Sequence, residues 1–210
     1  MSPPTSDWSR RGFLAGCGVG IGGVLGWLSR RTGAARGSGL LRPPGASSEE
    51  EFLAACIRCG QCVAACPEGT LILAGPGQAL SAGTPFVTAR EVPCNLCQGH
   101  DDLLCIAACP TLALQPVPDY AEIEMGVAVI DRTACLAWNR TVCRACWHAC
   151  PFPNEAIVLD PRGRVEIVAE ACIGCGLCDH VCLTEPSSIT IIPEHDWHDG
   201  DPTFTGEGTT

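Results

Sequence analysis

Apolar positions in this 210-residue chain come in short runs separated by polar, glycine and proline residues. Past residue 100 the runs read as strands: Leu112-Ala113-Leu114, Val127 to Ile130, Ala156 to Leu159, Val165 to Val168 and Ile189 to Ile192. Asp160-Pro161-Arg162-Gly163 supplies the turn between the third and fourth of these. Helices of only one or two turns are expected, around the last cysteine of each of four cysteine groups. The pattern predicts a small α+β unit that is repeated. Glu68 to Pro93 is glycine-rich and reads as a surface loop. Residues 29–48 (Arg, Gly, Ser, Pro) read as a linker, and the polar, acidic residues 194–210 as a tail.

Composition sharpens this picture. The chain is 46% hydrophobic and 17% charged, so wholesale disorder is excluded. It holds only 5 Trp, 1 Tyr and 5 Phe, too few to organise a core over the full length, but it holds 17 Cys. That count implies disulfides, zinc or iron–sulfur clusters rather than one catalytic thiol.

Charge separates a head from a body. Residues 1–48 hold six Arg against Asp7, whereas residues 49–210 hold seven Arg, no Lys and 22 acids. So acidic a body excludes nucleic-acid binding through phosphate contacts. The head has its own pattern: Ser-Arg-Arg-Gly-Phe-Leu at 9–14 opens an apolar run, Phe13 to Leu28. Sixteen residues are short for a membrane span, which needs about 20, and six glycines weaken the helix. Paired arginines before such a run form a twin-arginine export signal; a basic tail before a buried helix is the alternative. Gly33-Ala34-Ala35 is the nearest small-residue cluster for cleavage, and uncleaved anchoring stays open. Cys17 lies at the start of the run, where a lipid-attachment cysteine would not, and is read as incidental.

The other sixteen cysteines fall into four groups. They are Cys56, Cys59, Cys62, Cys66; Cys94, Cys97, Cys105, Cys109; Cys135, Cys143, Cys146, Cys150; and Cys172, Cys175, Cys178, Cys182. The first and last have the uninterrupted Cys-x2-Cys-x2-Cys-x3-Cys spacing of bacterial [4Fe–4S] ferredoxins. In group two a seven-residue insertion separates the second and third Cys; in group three it separates the first and second. A tight loop brings three thiolates round one cubane, and the fourth, three residues on, points away toward another. Zinc favours two separated pairs rather than three Cys in seven residues. Disulfides between such close neighbours would close very small, strained loops. All sixteen are therefore expected to ligate four [4Fe–4S] clusters, in two ferredoxin-like two-cluster units.

Several segments together resemble a known family: Arg-Pro-Pro-Gly-Ala at 42–46, Cys-Ile-Arg-Cys-Gly-Gln-Cys-Val-Ala-Ala-Cys-Pro at 56–67 and Leu-Ser-Ala-Gly-Thr-Pro-Phe at 80–86. Arg-Glu-Val-Pro-Cys at 90–94 and Arg-Ala-Cys-Trp-His-Ala-Cys-Pro at 144–151 belong to the same set. The chain resembles the ferredoxin-type NapG/MauM family over nearly its whole length. The resemblance implies a periplasmic electron carrier, exported folded, in a nitrate reductase or methylamine dehydrogenase system. It implies a membrane iron–sulfur protein that oxidises quinol as donor, and a c-type cytochrome or reductase as acceptor. The rival functions are the cluster subunit of a molybdenum oxidoreductase, which usually lacks its own twin-arginine signal, and a maturation factor for a periplasmic redox enzyme.

The expected organisation is a signal region at 1–35, a linker at 36–48, a tetra-cluster domain at 49–193 and a tail at 194–210. The matching uninterrupted motifs favour nested wiring: Cys66 and Cys182 exchanged between groups one and four, Cys109 and Cys150 between groups two and three. Trp147, His148 and His180 sit between ligands and read mainly as packing. Trp138 and Asn139, in the group-three insertion, read equally as partner-facing or as loop filler.

Overall fold

The computed structural model describes residues 39–197. The paired arginines, the apolar run, Cys17 and residues 198–210 of the tail lie outside the described residues.

The described chain is laid out as two halves with one plan. The first half holds α1 (Glu49–Ala55), α2 (Gln61–Ala65), β1 (Leu71–Leu73), β2 (Pro85–Val87) and α3 (Leu104–Ala107). The second holds β3 (Gly126–Ile130), α4 (Ala145–Ala149), β4 (Ile157–Leu159), β5 (Val165–Ile167), α5 (Leu177–His180) and β6 (Ile189–Pro193). In each, an antiparallel hairpin separates two one-turn helices that pack together: β1–β2 between α2 and α3, β4–β5 between α4 and α5. The start and finish of each half also pair. β3 and β6 run antiparallel from Gly126↔Pro193 to Ile130↔Ile189, and in the first half the same closure shrinks to one bridge, Ala46↔Leu114.

The short helices have local causes. Gly60 (φ 74°) and Gly176 (φ 85°) start α2 and α5 from the left-handed region, which glycine enters without steric cost. Each helix contains the third cysteine of its motif and stops before the fourth. Cys66 and Cys150 precede prolines and are extended, as a residue before proline prefers. The last motif has Leu183 in place of proline, and there Arg90 takes over: its Nη1 donates to the carbonyls of Asp179, His180 and Cys182, at 2.5, 3.2 and 3.0 Å.

Three expectations change. Glu68 to Pro93 is the β1–β2 hairpin with an intervening 3-10 segment rather than a loop, since Leu71 and Val87 bury against the first core. Leu112–Leu114 forms only the bridge at Leu114, because Leu112 has a left-handed backbone (φ 57°). Residues 40–44, read as linker, are buried: Arg42 is only 4% exposed, and Leu41 pairs with Val87. At the other end residues 194–196 form one 3-10 turn.

The core is split in the same way. Leu41, Phe52, Leu71, Val87, Leu114, Ile123 and Met125 pack with the cysteines of the first half. Ala128, Ile130, Ile157, Val165 and Ile189 pack with those of the second. Ile173, from the fourth motif, crosses into the first core, and its carbonyl accepts from Met125 N at 3.2 Å. Gly126 and Gly174 meet here. A Cβ on Gly174 would lie 2.4 Å from Gly126 N, and one on Gly126 would lie 2.1 Å from the Ile192 carbonyl oxygen.

Candidate iron–sulfur centres

The packed helix pairs decide which thiols meet. α2 carries Cys66 across to the second motif, and α3 returns Cys109 to the first. Cys56, Cys59, Cys62 and Cys109 line one cavity. Cys66 is instead a neighbour of Cys94 and Cys105, beside Cys97. The second half repeats the exchange. Cys172, Cys175 and Cys178 line a cavity with Cys150, and Cys135, Cys143 and Cys146 line another with Cys182. We name these sites A, B, C and D in that order.

The nested wiring is therefore wrong. Motif one exchanges its fourth cysteine with motif two, and motif three with motif four. Equality of spacing between motifs one and four describes the loop round a site, not which helices pack. Each actual exchange closes round a hairpin a few tens of residues long, whereas nesting would have to close most of the chain at a larger entropic cost.

Sites B and C are adjacent. The Cys94 amide donates to the Cys175 carbonyl at 2.9 Å, and the Cys94 thiol adds to the charge repulsion at Cys175. The four sites thus follow one another A–B–C–D, with A and D at the ends.

The donor chemistry fits a cluster. Among the described residues, no three Cys, His, Asp or Glu side chains converge closely enough to hold one metal ion. Yet four thiols ring each of three cavities of similar size. Soft thiolates spread round a space larger than an ion suit an iron–sulfur cubane. Left-handed residues at matching places, Arg58 and Gly60 in motif one and Gly174 and Gly176 in motif four, curl the backbone round the thiols. Such curled backbone turns its amides inward, as an anionic group requires.

Burial governs the thiols. It pushes Cys62, Cys94 and Cys146 up to about 11, helped by neighbouring thiols. Cys105 and Cys175 rise to about 12 for the same reasons, and Cys178 rises well above the ordinary value. At neutral pH these groups are protonated until iron displaces the proton. Cys182 goes the other way. Burial opposes ionisation, but the hydroxyls of Ser188 (3.3 Å) and Thr184 (3.2 Å), with backbone and Ser187 donors, bring it down to about 6. At Cys109 burial is likewise outweighed, chiefly by backbone amides, with Leu114 N at 3.5 Å from the sulfur. Ala128 N stands 3.4 Å from Cys172 Sγ.

The framework residues were not legible from cysteine spacing, although they lie in the segments of family resemblance. Arg42 is buried and holds Glu49 with two hydrogen bonds (2.7 and 2.5 Å), Thr84 Oγ1 (2.9 Å) and the Pro85 carbonyl (3.0 Å). Its guanidinium also stacks 4.8 Å from the Phe52 ring. This ties 42–46 to 80–86 beneath site A. Arg90, from 90–94, reaches the fourth motif as described above. Gly45 is required because a Cβ there would lie 2.3 Å from the Gln115 carbonyl oxygen.

The remaining candidates are structural in their contacts. Trp138 donates to the Val165 carbonyl at 3.0 Å, between the guanidinium groups of Arg132 (4.4 Å) and Arg164 (4.1 Å). Asn139 donates to the Cys135 and Thr133 carbonyls, both at 2.9 Å. Trp147 packs edge-on against His148 and bonds Asn154. His180 Nδ1 meets the Arg90 carbonyl at 2.9 Å.

Comparison with known proteins identifies 4Fe-4S domains in both halves of the chain. A family model described as a 4Fe-4S dicluster domain matches residues 55–113, the stretch that contains motifs one and two. A 4Fe-4S binding domain matches 169–185, around motif four. The ferredoxin-type protein NapG of Escherichia coli is 40% identical over 195 residues, which span 87% of this chain and 80% of that protein. The methylamine utilization ferredoxin-type protein MauM of Methylobacillus flagellatus is 40% identical over 182 residues, 82% of this chain and 76% of that protein. MauM of Paracoccus denitrificans is 43% identical over 162 residues, 73% and 71%. No helix among the described residues is long and apolar enough to cross a membrane. With these relatives, these domains and these thiol sites, the chain belongs to the ferredoxin-type NapG/MauM family, iron–sulfur proteins of electron transfer rather than catalysis.

Proposed function

We propose that this chain is a periplasmic electron-transfer protein that holds four [4Fe–4S] clusters in single file, as two ferredoxin-like two-cluster units. The observation that carries this reading is the sequence of sites A, B, C and D, joined at its centre by the Cys94–Cys175 backbone hydrogen bond. All sixteen grouped cysteines serve as ligands. A bound cubane supplies one-electron storage whose potential responds to burial, charge and hydrogen bonds at sulfur. The chain's contribution is to hold thiolates in four ordered places. It buries three of the four thiols at B and directs donors at Cys109, Cys172 and Cys182.

The twin-arginine segment at 9–14 would export the protein folded, with its thiols already loaded with iron. In the system we envisage, a membrane iron–sulfur protein that oxidises quinol reduces it. A c-type cytochrome or reductase of a nitrate reductase or methylamine dehydrogenase system oxidises it. Anaerobic analysis of the purified protein tests the cofactor content, with about sixteen iron and sixteen sulfide per chain expected for four cubanes. Half that iron, or stoichiometric zinc, would overturn the reading. Replacing Arg10 and Arg11 together by Lys should strand cluster-bearing protein in the cytoplasm.

A further inference from the structure

The two ends of the file differ in charge. Residues 39–130 hold three Arg against ten acids, and residues 166–197 hold no Arg and six acids. Between them, residues 131–165 hold five Arg against Asp131, Glu155 and Asp160. This basic stretch supplies Cys135, Cys143 and Cys146 to site D. Arg140 and Arg144 are exposed and flank Cys143 in the chain. Beside them stand two of the most exposed large apolar residues among those described, Val142 (91%) and Leu183 (71%). Leu183 lines the site D cavity, and Val142 precedes Cys143.

Exposed apolar side chains rimmed by charge mark an interaction surface. At site A the apolar rim recurs in Ile57 and Leu112, but the nearby Arg58 turns its guanidinium onto the Leu80 and Ala82 carbonyls. We infer that the rim of site D, formed by Arg140, Val142, Arg144 and Leu183, is a docking surface for a redox protein with an acidic face around its own cofactor. This rests on the proposed function and adds the place and sign of the contact.

Two other occupants fit less well. Anionic lipid is held by clusters of about four to eight basic residues, whereas the rim offers Arg140 and Arg144. A second copy, docking its acidic surface on this basic rim, would make a head-to-tail contact that need not close.

The test uses the cluster-loaded full chain and, as probes, an acidic and a basic c-type cytochrome, with binding followed by calorimetry at low and high ionic strength. The acidic cytochrome should bind more tightly at low salt, and Arg140→Glu with Arg144→Glu should weaken it about ten-fold there. At high salt the difference should disappear. In rapid mixing of dithionite-reduced protein with the ferric acidic cytochrome, one electron passes to each haem, and its rate should follow the same pattern. Iron analysis of every sample separates a missing cluster, which counts against the proposed function, from a failed contact. If the double variant loses iron, the salt response of the wild-type protein decides, because binding that strengthens with salt overturns the proposal. So does equal weakening of both cytochromes by the variant. Low-salt self-association abolished by the variant, or binding to phosphatidylserine vesicles abolished while the cytochrome affinity stands, would assign the rim to those occupants instead.

Discussion

The inner and outer thiol sites solve different problems. At B and C the chain surrounds its thiols with protein and with each other: Cys105 and Cys175 are pushed up to about 12. At A the chain leaves an opening. Cys59 is exposed, and the thiols that cross over to A and D, Cys109 and Cys182, are drawn downward by donors. Inner sites are thus built for retention, because a buried thiolate is tolerable only while iron neutralises it. At the outer sites individual donors adjust the sulfur that crosses over, and site A also keeps a thiol open to solvent.

The comparison can be broken most forcefully by removing iron. The cysteines form part of both hydrophobic cores, so chelation should abolish most of the near-ultraviolet circular dichroism. Retention of that signal in iron-free protein would show that side-chain packing alone suffices. A narrower challenge replaces single ligands. Cys175→Ser, at the centre of the file, should remove more than one cluster, whereas Cys59→Ser should remove about four iron atoms, one cubane. Cys109→Ser should then alter the same paramagnetic signal as Cys59→Ser, and Cys182→Ser the same as Cys143→Ser. A shared signal for Cys182 and Cys59 would restore the nested arrangement.

The halves also differ in what braces them. Arg42→Ala strips the half-buried Glu49 carboxylate of its guanidinium partner, leaving Ser81 as a donor, and should cost about 2–3 kcal/mol in anaerobic denaturation. Arg164→Ala breaks a solvent-screened pair with Asp160, and a much smaller loss is expected. Equal losses would remove the distinction. The finest effect concerns Cys182. Ser188→Ala deletes one hydroxyl donor worth about 1 kcal/mol, and so should lower the potential of site D by about 40 mV in a redox titration. No shift would mean that the hydroxyl does not bond the loaded sulfur.

Cysteine spacing set out the four thiol groups, and apolar runs and turn residues set out the strands around Val127, Val165 and Ile189 and the turn at 160–163, because each depends on neighbours along the chain. The expected helices were right in length but contain the third cysteine and stop before the fourth, since proline or Arg90 ends them there. The same local rules missed the hairpin at 71–87, where two three-residue strands stand out only once Leu71 and Val87 find a core. They also took buried residues 40–44 for linker. Proline and glycine there look like punctuation until Arg42 meets Glu49 and Thr84 across the fold.

Pairing of the motifs lay beyond the sequence altogether. A fourth cysteine that points away from its own site is a local property, but its destination depends on which helix packs against its own. Only the tertiary structure, by setting α2 on α3 and α4 on α5, sent Cys66 to motif two and Cys182 to motif three. It alone brought Leu183 to the site of Cys143, beside which Arg140, Val142 and Arg144 already stand in the chain. The basic stretch at 131–165 is legible along the chain, but its place at one end of the file is set only by the fold, which pairs motif three with motif four.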